Sequence, residues 1–230
     1  MLREQLEQVR TRIRQACQRC GRDPSSVTLV AVTKTVPAET VREAIALGVA
    51  DLGENRVQEA QSKREALGEL SRSVHWHLIG HLQRNKAKHA VEFFDIIHSV
   101  DSLDLVEELE RQTSKRGRRL PSLVQVNVSG EATKSGCRPE EAGRVARAIQ
   151  TAAHLTLAGF MAIPEAAEDP EAVRPAFRRL RDLRDEAANH LGVPVSSLKL
   201  SMGMSHDFEV AIEEGADVIR VGTAIFGART

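Results

Sequence analysis

Eight short apolar segments alternate along this chain with longer segments of helical periodicity, and no other feature of the sequence restricts its fold as much. The apolar segments are rich in β-branched residues, which indicates strands buried on both faces. They lie at 28–33, 49–52, 75–79, 95–98, 123–128, 155–161, 197–200 and 218–221. A parallel pair of strands requires a crossover of this kind between its members. The order therefore predicts an α/β fold built on a parallel sheet.

The segments between the strands predict seven helices, an eighth follows the last strand, and a further helix precedes the first strand. The predicted ranges are 2–20, 38–47, 56–70, 82–91, 140–152, 171–191 and 207–214, with one helix that begins after Ser102 and a short one from Thr223. Eight such units close into a (β/α)8 TIM barrel. The alternative, an open doubly wound sheet, usually has fewer strands in a chain of 230 residues. No linker divides the chain, so we expect a single domain over 1–230.

The balance of charges excludes several classes of partner. The chain has 32 Lys and Arg against 32 Asp and Glu, whereas proteins that bind duplex nucleic acid usually show a basic excess. Aromatic residues, which single-strand platforms need for stacking, make up only 3%. No apolar stretch is long enough to span a membrane. We expect no nucleic-acid or membrane partner. Three cysteines form no disulfide framework, so we expect a cytoplasmic protein. The neutral net charge and the lack of an obvious apolar stripe predict a monomer.

Two neighbouring strand ends carry small and hydroxyl-bearing residues. The functional site of a barrel lies at the carboxyl ends of its strands, and phosphate sites commonly use the loops after the seventh and eighth. Here those loops contain Gly203 and Ser205, then Gly222 and Thr223. Glycine lets backbone approach a ligand, and free N–H groups at the start of a helix favour an anion. Ordinary turns and caps would look the same at one loop, but two adjacent loops favour phosphate binding.

Two charged residues at strand ends indicate what else a ligand could carry. Lys34 follows the first strand, where a desolvated amine can form a Schiff base with a carbonyl compound; a solvated lysine is the ordinary alternative. A ligand with both an aldehyde and a phosphate would use both ends of such a site, and pyridoxal 5′-phosphate is one. Arg220 shares a strand face with Gly222. It could donate to a pyridine nitrogen or form a salt bridge with a carboxylate.

A group of histidines raises a metal site as an alternative. His75 and His77 share a face of the third strand, and His81 follows it. Metal-dependent barrel hydrolases use this pattern, but they need further ligands from other strand ends. His98 and His206 complete no recognisable set. A metal-dependent barrel hydrolase is therefore kept only as a less favoured function.

Motifs in a fixed order extend over almost the whole chain. They are Val30-Ala-Val-Thr-Lys-Thr35, Gly53-Glu-Asn55 with Val57-Gln-Glu59, Trp76-His-Leu-Ile-Gly80 with Leu82-Gln83 and Asn85-Lys86, Val126-Asn-Val128, Lys134-Ser-Gly136, Gly159-Phe-Met161 with Ile163-Pro164, Leu200-Ser-Met-Gly-Met-Ser205 with Asp207, and Arg220-Val-Gly-Thr-Ala-Ile-Phe-Gly227. This set resembles the pyridoxal phosphate homeostasis protein family. Three positions depart from the usual residues of that family: Thr33 replaces Ser, Arg56 replaces an aromatic, and His81 replaces Pro.

The resemblance implies a single barrel like the N-terminal domain of alanine racemase, with pyridoxal 5′-phosphate as cofactor. Family members have no established turnover and are thought to bind, buffer or deliver this cofactor, so the expected recipients are pyridoxal-phosphate-dependent apoenzymes. The cofactor-binding residues that the resemblance implies are Lys34 for the Schiff base, Asn55 near the ring, Ser205, Gly222 and Thr223 for the phosphate, and Arg220 at the pyridine nitrogen.

A racemase-like enzyme with the same cofactor is the main functional alternative. Racemisation needs a proton-transferring group on each face of the cofactor, and in alanine racemase the second group is a Tyr from another domain. This chain contains no Tyr, and it ends where the barrel is complete, so we expect no efficient racemisation. An arginine at the pyridine nitrogen would also leave the ring a weaker electron sink. His77 or His81 would be the candidates for a second base.

Overall fold

The computed structural model describes residues 1–131, 134–165 and 167–227, and in them eight parallel strands close into a barrel in chain order. The strands are β1 (Thr28–Val32), β2 (Asp51–Glu54), β3 (His75–Leu78), β4 (Ile96–Val100), β5 (Leu120–Gln125), β6 (Leu155–Met161), β7 (Lys199–Ser201) and β8 (Val218–Val221). β8 pairs with β1, with Arg220 opposite Val30, and this pairing closes the sheet. The predicted (β/α)8 barrel is therefore confirmed.

A helix follows each strand, and one more precedes the barrel. The helices in the described ranges are α1 (Leu2–Arg19), α2 (Ala38–Ala46), α3 (Val57–Leu67), α4 (Ala87–Phe93), α5 (Leu103–Ser114), α6 (Pro139–Thr151), α7 (Arg174–Leu191), α8 (Phe208–Glu213) and α9 (Thr223–Phe226). α5 begins after Ser102 as predicted, and the hydroxyl of Ser102 accepts the N–H of Leu105 at 3.4 Å and caps the helix. In the same ranges, no helix combines the length and the apolar character needed to cross a membrane.

The additional helix α1 packs against α8 and α9. Its buried side chains recur at helical spacing and are Leu2, Leu6, Val9, Ile13, Ala16 and Cys17. Arg12 on its outer side pairs with both carboxylate oxygens of Glu209, at 2.6 and 2.9 Å, and its guanidinium carbon lies 4.4 Å from the ring centre of Phe208. A bidentate pair of this kind adds orientation to hydrophobic packing. It holds α1 on the last βα units of the barrel.

Strand alternation separates the apolar layer from the barrel interior. Trp76 on β3 is fully buried, donates from Nε1 to the carbonyl of Ser71 at 3.0 Å, and lies under the guanidinium of Arg64 from α3. Trp76 therefore faces the surrounding helices. Because successive side chains of a strand point to opposite faces, His77 points into the barrel. The interior consequently contains polar side chains, while the main apolar core lies between strands and helices.

β2 and β5 are shifted along the chain from their predicted positions. β2 begins at Asp51 rather than at 49, because Gly48 has a φ of +85° and the N–H of Val49 returns to the carbonyl of Ala44. β5 covers Leu120–Gln125 rather than 123–128, because the backbone after Gln125 pairs with Cys137 in the following loop. Because of the shift of β2, Glu54 lies inside that strand, beyond the predicted end at 52.

One-turn 3₁₀ helices account for most of the other boundary differences. They occupy one end of each of the helices predicted at 56–70, 82–91 and 171–191. Another lies where the strand predicted at 197–200 was expected to begin, so that strand begins at Lys199. Turns of this kind accept proline near their start, as at Pro170, and Gly68 with a φ of +58° ends α3. β4 also runs further than predicted, to Val100. The 3₁₀ segments at these boundaries are Gly68–Arg72, Arg84–Lys86, Pro170–Val173 and Val195–Ser197.

Candidate functional site

A cavity of about 560 Å³ opens at the carboxyl ends of the strands, and all six residues predicted for the cofactor site line it. Lys34 follows β1 and Asn55 follows β2, whereas Arg220 belongs to β8. Closure of the barrel brings these strand ends together although they are distant in the sequence. The six residues are Lys34, Asn55, Ser205, Arg220, Gly222 and Thr223.

The loops after β7 and β8 are joined through the hydroxyl of Ser205. Its Oγ accepts the N–H of Gly222 at 3.1 Å and that of Ala224 at 3.3 Å. Gly203 turns the first loop with a φ of +93°, and a Cβ there would lie 2.6 Å from the Cβ of Ala211. Because the Ser205 oxygen accepts both N–H groups, its own O–H proton is available to an acceptor in the cavity. The exposed side chain of Thr223 adds a second hydroxyl.

A buried lysine from α3 holds the backbone on one side of Lys34. Lys63 Nζ lies 2.6 Å from Oε1 of Glu54 and also donates to the carbonyl of Thr33. The Thr33 hydroxyl donates to the same Glu54 oxygen at 2.6 Å. Burial raises the pKa of Glu54, while the hydrogen bonds from Lys63 and Thr33 act in the opposite direction. The residue before Lys34 is therefore tied to both β2 and α3.

The residue on the other side of Lys34 has an unusual backbone conformation. Thr35 has a φ of +63°, which a β-branched residue rarely adopts. Its N–H donates to Oε1 of Glu59, and that oxygen also accepts from Lys63 at 2.9 Å. Strain of this kind persists only where the surroundings enforce it, and it is concentrated at functional sites. Lys63 and Glu59 thus fix the backbone on both sides of Lys34, whose side chain is half-buried.

Asn55 is positioned by the close approach of two loops. A Cβ at Gly80 would lie 2.4 Å from the carbonyl oxygen of Asn55, so only glycine fits there. Asn55, Gly80 and His81 line the main cavity and also a neighbouring one of about 420 Å³. His81 lies 3.5 Å from Asp101. The Asn55 side chain therefore lies at the border between the two cavities.

Arg220 is buried, and both of its terminal nitrogens donate within the protein. Nη1 donates to Oγ of Ser201 at 2.6 Å, and Nη2 donates to the carbonyl of Ala162 at 2.8 Å. Burial lowers the pKa of Arg220 to about 10, against the opposing effect of the Asp207 carboxylate. The guanidinium is therefore charged at neutral pH. The sequence left open a salt bridge between Arg220 and a carboxylate. In the structure, the partners of its terminal nitrogens are a hydroxyl and a carbonyl instead.

The structure separates the histidines that were considered as metal ligands. His75 is exposed at the start of β3, whereas His77 is buried and bonded to Asp51 and His98. His81 lies at the cavity. In the described part of the chain, no group of three or more His, Cys, Asp and Glu side chains is arranged to hold a metal ion. Of the two histidines on β3, His75 therefore lies at the edge of the barrel and His77 in its interior, and they do not share a metal centre.

The sequence interpretation missed part of the cavity wall and the support beneath it. Lys63 recurs with Ala60 and Leu67 on the buried face of α3, and a charged residue at such a position was the available signal. Lys134, from a motif that carried the resemblance, reaches the cavity and pairs with Glu131 at 2.8 Å. The other wall residues outside the predicted set are Val32, Ile79, Gly80, His81, Gln125, Ser135, Ile163, Met204 and His206.

The cavity wall offers three different kinds of group to a ligand. The Lys34 amine can form a covalent bond with an aldehyde, and the hydroxyls of Ser205 and Thr223 with the N–H of Thr223 can donate to a phosphate. The charged guanidinium of Arg220 can donate to a ring nitrogen. Pyridoxal 5′-phosphate carries an aldehyde, a phosphate and a ring nitrogen, so the donor set present here fits it.

Comparison with known proteins assigns the family. Residues 5–230 match the family model for the alanine racemase N-terminal domain. The chain is 48% identical over 229 residues to the pyridoxal phosphate homeostasis protein of Pseudomonas aeruginosa, with 98% of this chain and 95% of that protein covered. It is 44% identical over 226 residues to the protein of the same name from Aquifex aeolicus, with 98% and 97% covered. The structure of PipY from Synechococcus elongatus with pyridoxal phosphate bound matches with a TM-score of 0.85 at 36% identity, and the match covers 99% of this chain and 100% of that one. The chain therefore belongs to the pyridoxal phosphate homeostasis protein family, whose barrel is that of the alanine racemase N-terminal domain.

Proposed function

We propose that this protein binds pyridoxal 5′-phosphate as a Schiff base on Lys34 and takes part in the intracellular balance of this cofactor. The observation that carries the proposal is that Lys34 and the loops of Ser205 and Thr223 line the same cavity of about 560 Å³. Membership of the family supports it, and so does the cofactor that the PipY structure holds.

Lys34 supplies the nucleophile in this proposal. Its unprotonated amine attacks the aldehyde carbon, a C=N bond forms, and the aldehyde oxygen leaves as water. The hydrogen bonds of Lys63 and Glu59 to the backbone of Thr33 and Thr35 keep the base of the Lys34 side chain in place. A fixed attachment point reduces the entropy that the amine loses on binding.

Ser205, Gly222 and Thr223 hold the phosphate. The two hydroxyls donate directly, and the N–H of Thr223 at the beginning of α9 adds a charge-assisted hydrogen bond. Ser205 has a second role, because its oxygen already orders the N–H groups of Gly222 and Ala224. This arrangement retains an anion without a cluster of basic side chains, which suits reversible binding.

Arg220 donates to the ring nitrogen and favours holding the cofactor over turnover. A guanidinium that stays charged at neutral pH does not readily transfer its proton. Enzymes that use the ring as an electron sink commonly pair this nitrogen with a carboxylate instead. We therefore propose a carrier whose recipients are apoenzymes that depend on this cofactor.

Spectral titration of the purified protein with pyridoxal 5′-phosphate tests the proposal. The wild-type protein should develop the visible absorption band of a Schiff base, and borohydride should abolish that band. Lys34→Ala should retain weaker binding through the phosphate loops but show no band. Lys86→Ala, which changes a lysine of the neighbouring cavity, is the matched control and should behave like wild type. A wild-type protein without the band, or a band that persists in Lys34→Ala, would contradict the proposal.

A further inference from the structure

A row of hydrogen-bonded side chains crosses the interior of the barrel. Asp51 Oδ1 lies 2.9 Å from His77 Nε2, and His77 Nδ1 lies 2.9 Å from His98 Nε2. His98 Nδ1 lies 2.8 Å from the Oγ of Ser201, which accepts from Arg220 Nη1 at 2.6 Å. The five residues belong to β2, β3, β4, β7 and β8. We call this row, Asp51–His77–His98–Ser201–Arg220, the interior chain.

The two ends of the interior chain lie at different cavities. Arg220 lines the cavity assigned above to the cofactor. Asp51 lines a separate cavity of about 450 Å³, together with Thr28 and Leu29 at the beginning of β1. The histidines and the serine between them are at most 2% exposed. The interior chain is therefore a buried polar connection between the two ends of the barrel.

The chemistry of the two end groups fixes one direction, or polarity, for the hydrogen bonds along the interior chain. An ionised carboxylate only accepts hydrogen bonds, so Nε2 of His77 donates to Asp51. In a neutral imidazole the other nitrogen accepts, so Nδ1 of His77 receives the N–H of His98 Nε2. By the same rule Nδ1 of His98 accepts the hydroxyl proton of Ser201. The Ser201 oxygen is then left as the acceptor for Arg220, which can only donate.

The electrostatic surroundings of His98 support this polarity. Burial lowers the pKa of His98 well below its ordinary value, and the positive charge of Arg220 acts in the same direction. A neutral His98 has one donor and one acceptor, as the interior chain requires. The rings of His77 and His98 lie 5.1 Å apart and are inclined by 59°, so they are bonded edge to edge and are not stacked.

We propose that Asp51, His77, His98 and Ser201 are positioning residues that hold the Arg220 guanidinium toward the cofactor ring. The carboxylate of Asp51 selects the Nε2–H tautomer of His77, this tautomer selects that of His98, and His98 orients the Ser201 hydroxyl. Arg220 is then held by an oxygen whose proton points away from it. The inference rests on the proposed function, because it assigns the free donors of Arg220 to the ring nitrogen.

Nitrogen NMR of the histidine side chains tests the polarity directly on the full-length protein without added cofactor. At about pH 8, where an ordinary imidazole is neutral, both His77 and His98 should carry the proton on Nε2. His77→Gln and His98→Gln identify the two sets of signals. In Asp51→Asn the amide can also donate, so the Nδ1–H tautomers should become populated. Finding Nδ1–H on His98 of the wild-type protein would overturn the proposal, whether or not the variants fold.

Removal of the Ser201 hydroxyl tests the coupling to the cofactor. Ser201→Ala should lower the affinity for pyridoxal 5′-phosphate by about tenfold and shift the absorption of the bound cofactor, because Arg220 loses one of its two anchors. Ser122→Ala removes another fully buried strand hydroxyl, which donates to the carbonyl of Leu120, and should change neither property. Equal affinity and an unchanged spectrum in Ser201→Ala would contradict the coupling.

The two measurements also separate this proposal from the proposed function. If wild-type protein does not bind pyridoxal 5′-phosphate, the proposed function fails, and the role of the interior chain toward that ligand fails with it. If wild type binds the cofactor through Lys34 but Ser201→Ala is unaffected, the proposed function stands and only the positioning role is wrong.

Discussion

The ammonium of Lys63 lies 2.6 Å from the carboxylate of Glu54, and both side chains are buried beside the strand end that carries Lys34. Desolvation of such a pair offsets much of its attraction, so a buried ion pair is weak evidence for net stability. The pair matters here because it fixes the position of the backbone next to Lys34. The same ammonium bonds to the carbonyl of Thr33 and to Glu59, and so connects the residue after β1 with β2 and α3 beside Lys34.

Lys63→Met should be strongly destabilising, because it leaves the Glu54 carboxylate buried without its partner. We expect a loss of about 3–5 kcal/mol in the free energy of unfolding, measured in urea at neutral pH. The double variant Glu54→Gln with Lys63→Met should recover most of this loss, since no unpaired charge then remains. It should still hold pyridoxal 5′-phosphate less tightly than wild type. Additive destabilisation by the two changes would show that the pair does not act as a unit.

Glu214 should stabilise the protein in a pH-dependent way. Its carboxylate is buried and pairs with Arg174, Arg178 and Arg181 at 2.9 to 3.1 Å. Burial opposes its ionisation, but the hydrogen bonds from Arg174 and Arg178 outweigh burial and keep the pKa of Glu214 below its ordinary value. The unfolded chain then binds more protons than the folded one. The stabilisation is therefore complete above the ordinary carboxyl pKa and is lost as pH falls through the lower folded value.

Glu214→Gln should accordingly be less stable than wild type by about 1–3 kcal/mol at pH 7, and the difference should shrink below about pH 4. Urea unfolding across this pH range measures it. Glu186→Gln removes an exposed carboxylate that lies 4.0 Å from His190, and it should change stability by less than about 0.5 kcal/mol. A Glu214→Gln difference that is constant with pH would contradict the assigned ion pairs.

Thr223→Val should weaken retention of pyridoxal 5′-phosphate by about 1–3 kcal/mol, because it removes one hydroxyl donor to a charged group. Affinity can be measured by dialysis with inorganic phosphate as competitor. Pyridoxal, which lacks the phosphate, should bind wild type and the variant equally. Thr156→Val changes an exposed threonine on β6 and is the control. If retention in Thr223→Val equals that of wild type, the phosphate lies elsewhere.

Amino-acid racemisation should be inefficient. The sequence contains no Tyr, and His77, one candidate for a second base, is bonded at both ring nitrogens to Asp51 and His98. His81 is the candidate that reaches the cavity. The loaded protein is incubated with L-alanine in deuterated water, and deuteration at Cα and formation of the D-isomer are followed. Turnover on the order of 1 per second or faster would show that the protein is an enzyme.

Alternation of apolar and helical segments was sufficient to predict the barrel, because eight buried parallel strands have few other ways to close. It failed at β2 and β5 for a local reason. Val49 is buried in a turn after Gly48, and Val126 is buried where its backbone pairs with Cys137 in a loop. Both are therefore apolar although neither lies in a strand. Apolar character measures burial, and burial alone does not distinguish a strand from the segment beside it.

The six cavity residues could be predicted because each lies at a strand end or carries a recognisable motif. Their supports could not. Lys63 and Glu54 meet only after α3 packs on β2, and His98 and Ser201 meet only when the barrel closes. Contacts between residues 103 positions apart leave no periodic signal in a single sequence.

Peptide mapping after borohydride reduction tests the central claim most directly. The protein is loaded with pyridoxal 5′-phosphate, reduced, digested and analysed by mass spectrometry. Reduction makes the Schiff base permanent, so the modified lysine can be read from the fragment masses. The account predicts one modified residue at low loading, Lys34. Modification mainly at another lysine, such as Lys134 on the same cavity wall, would contradict it.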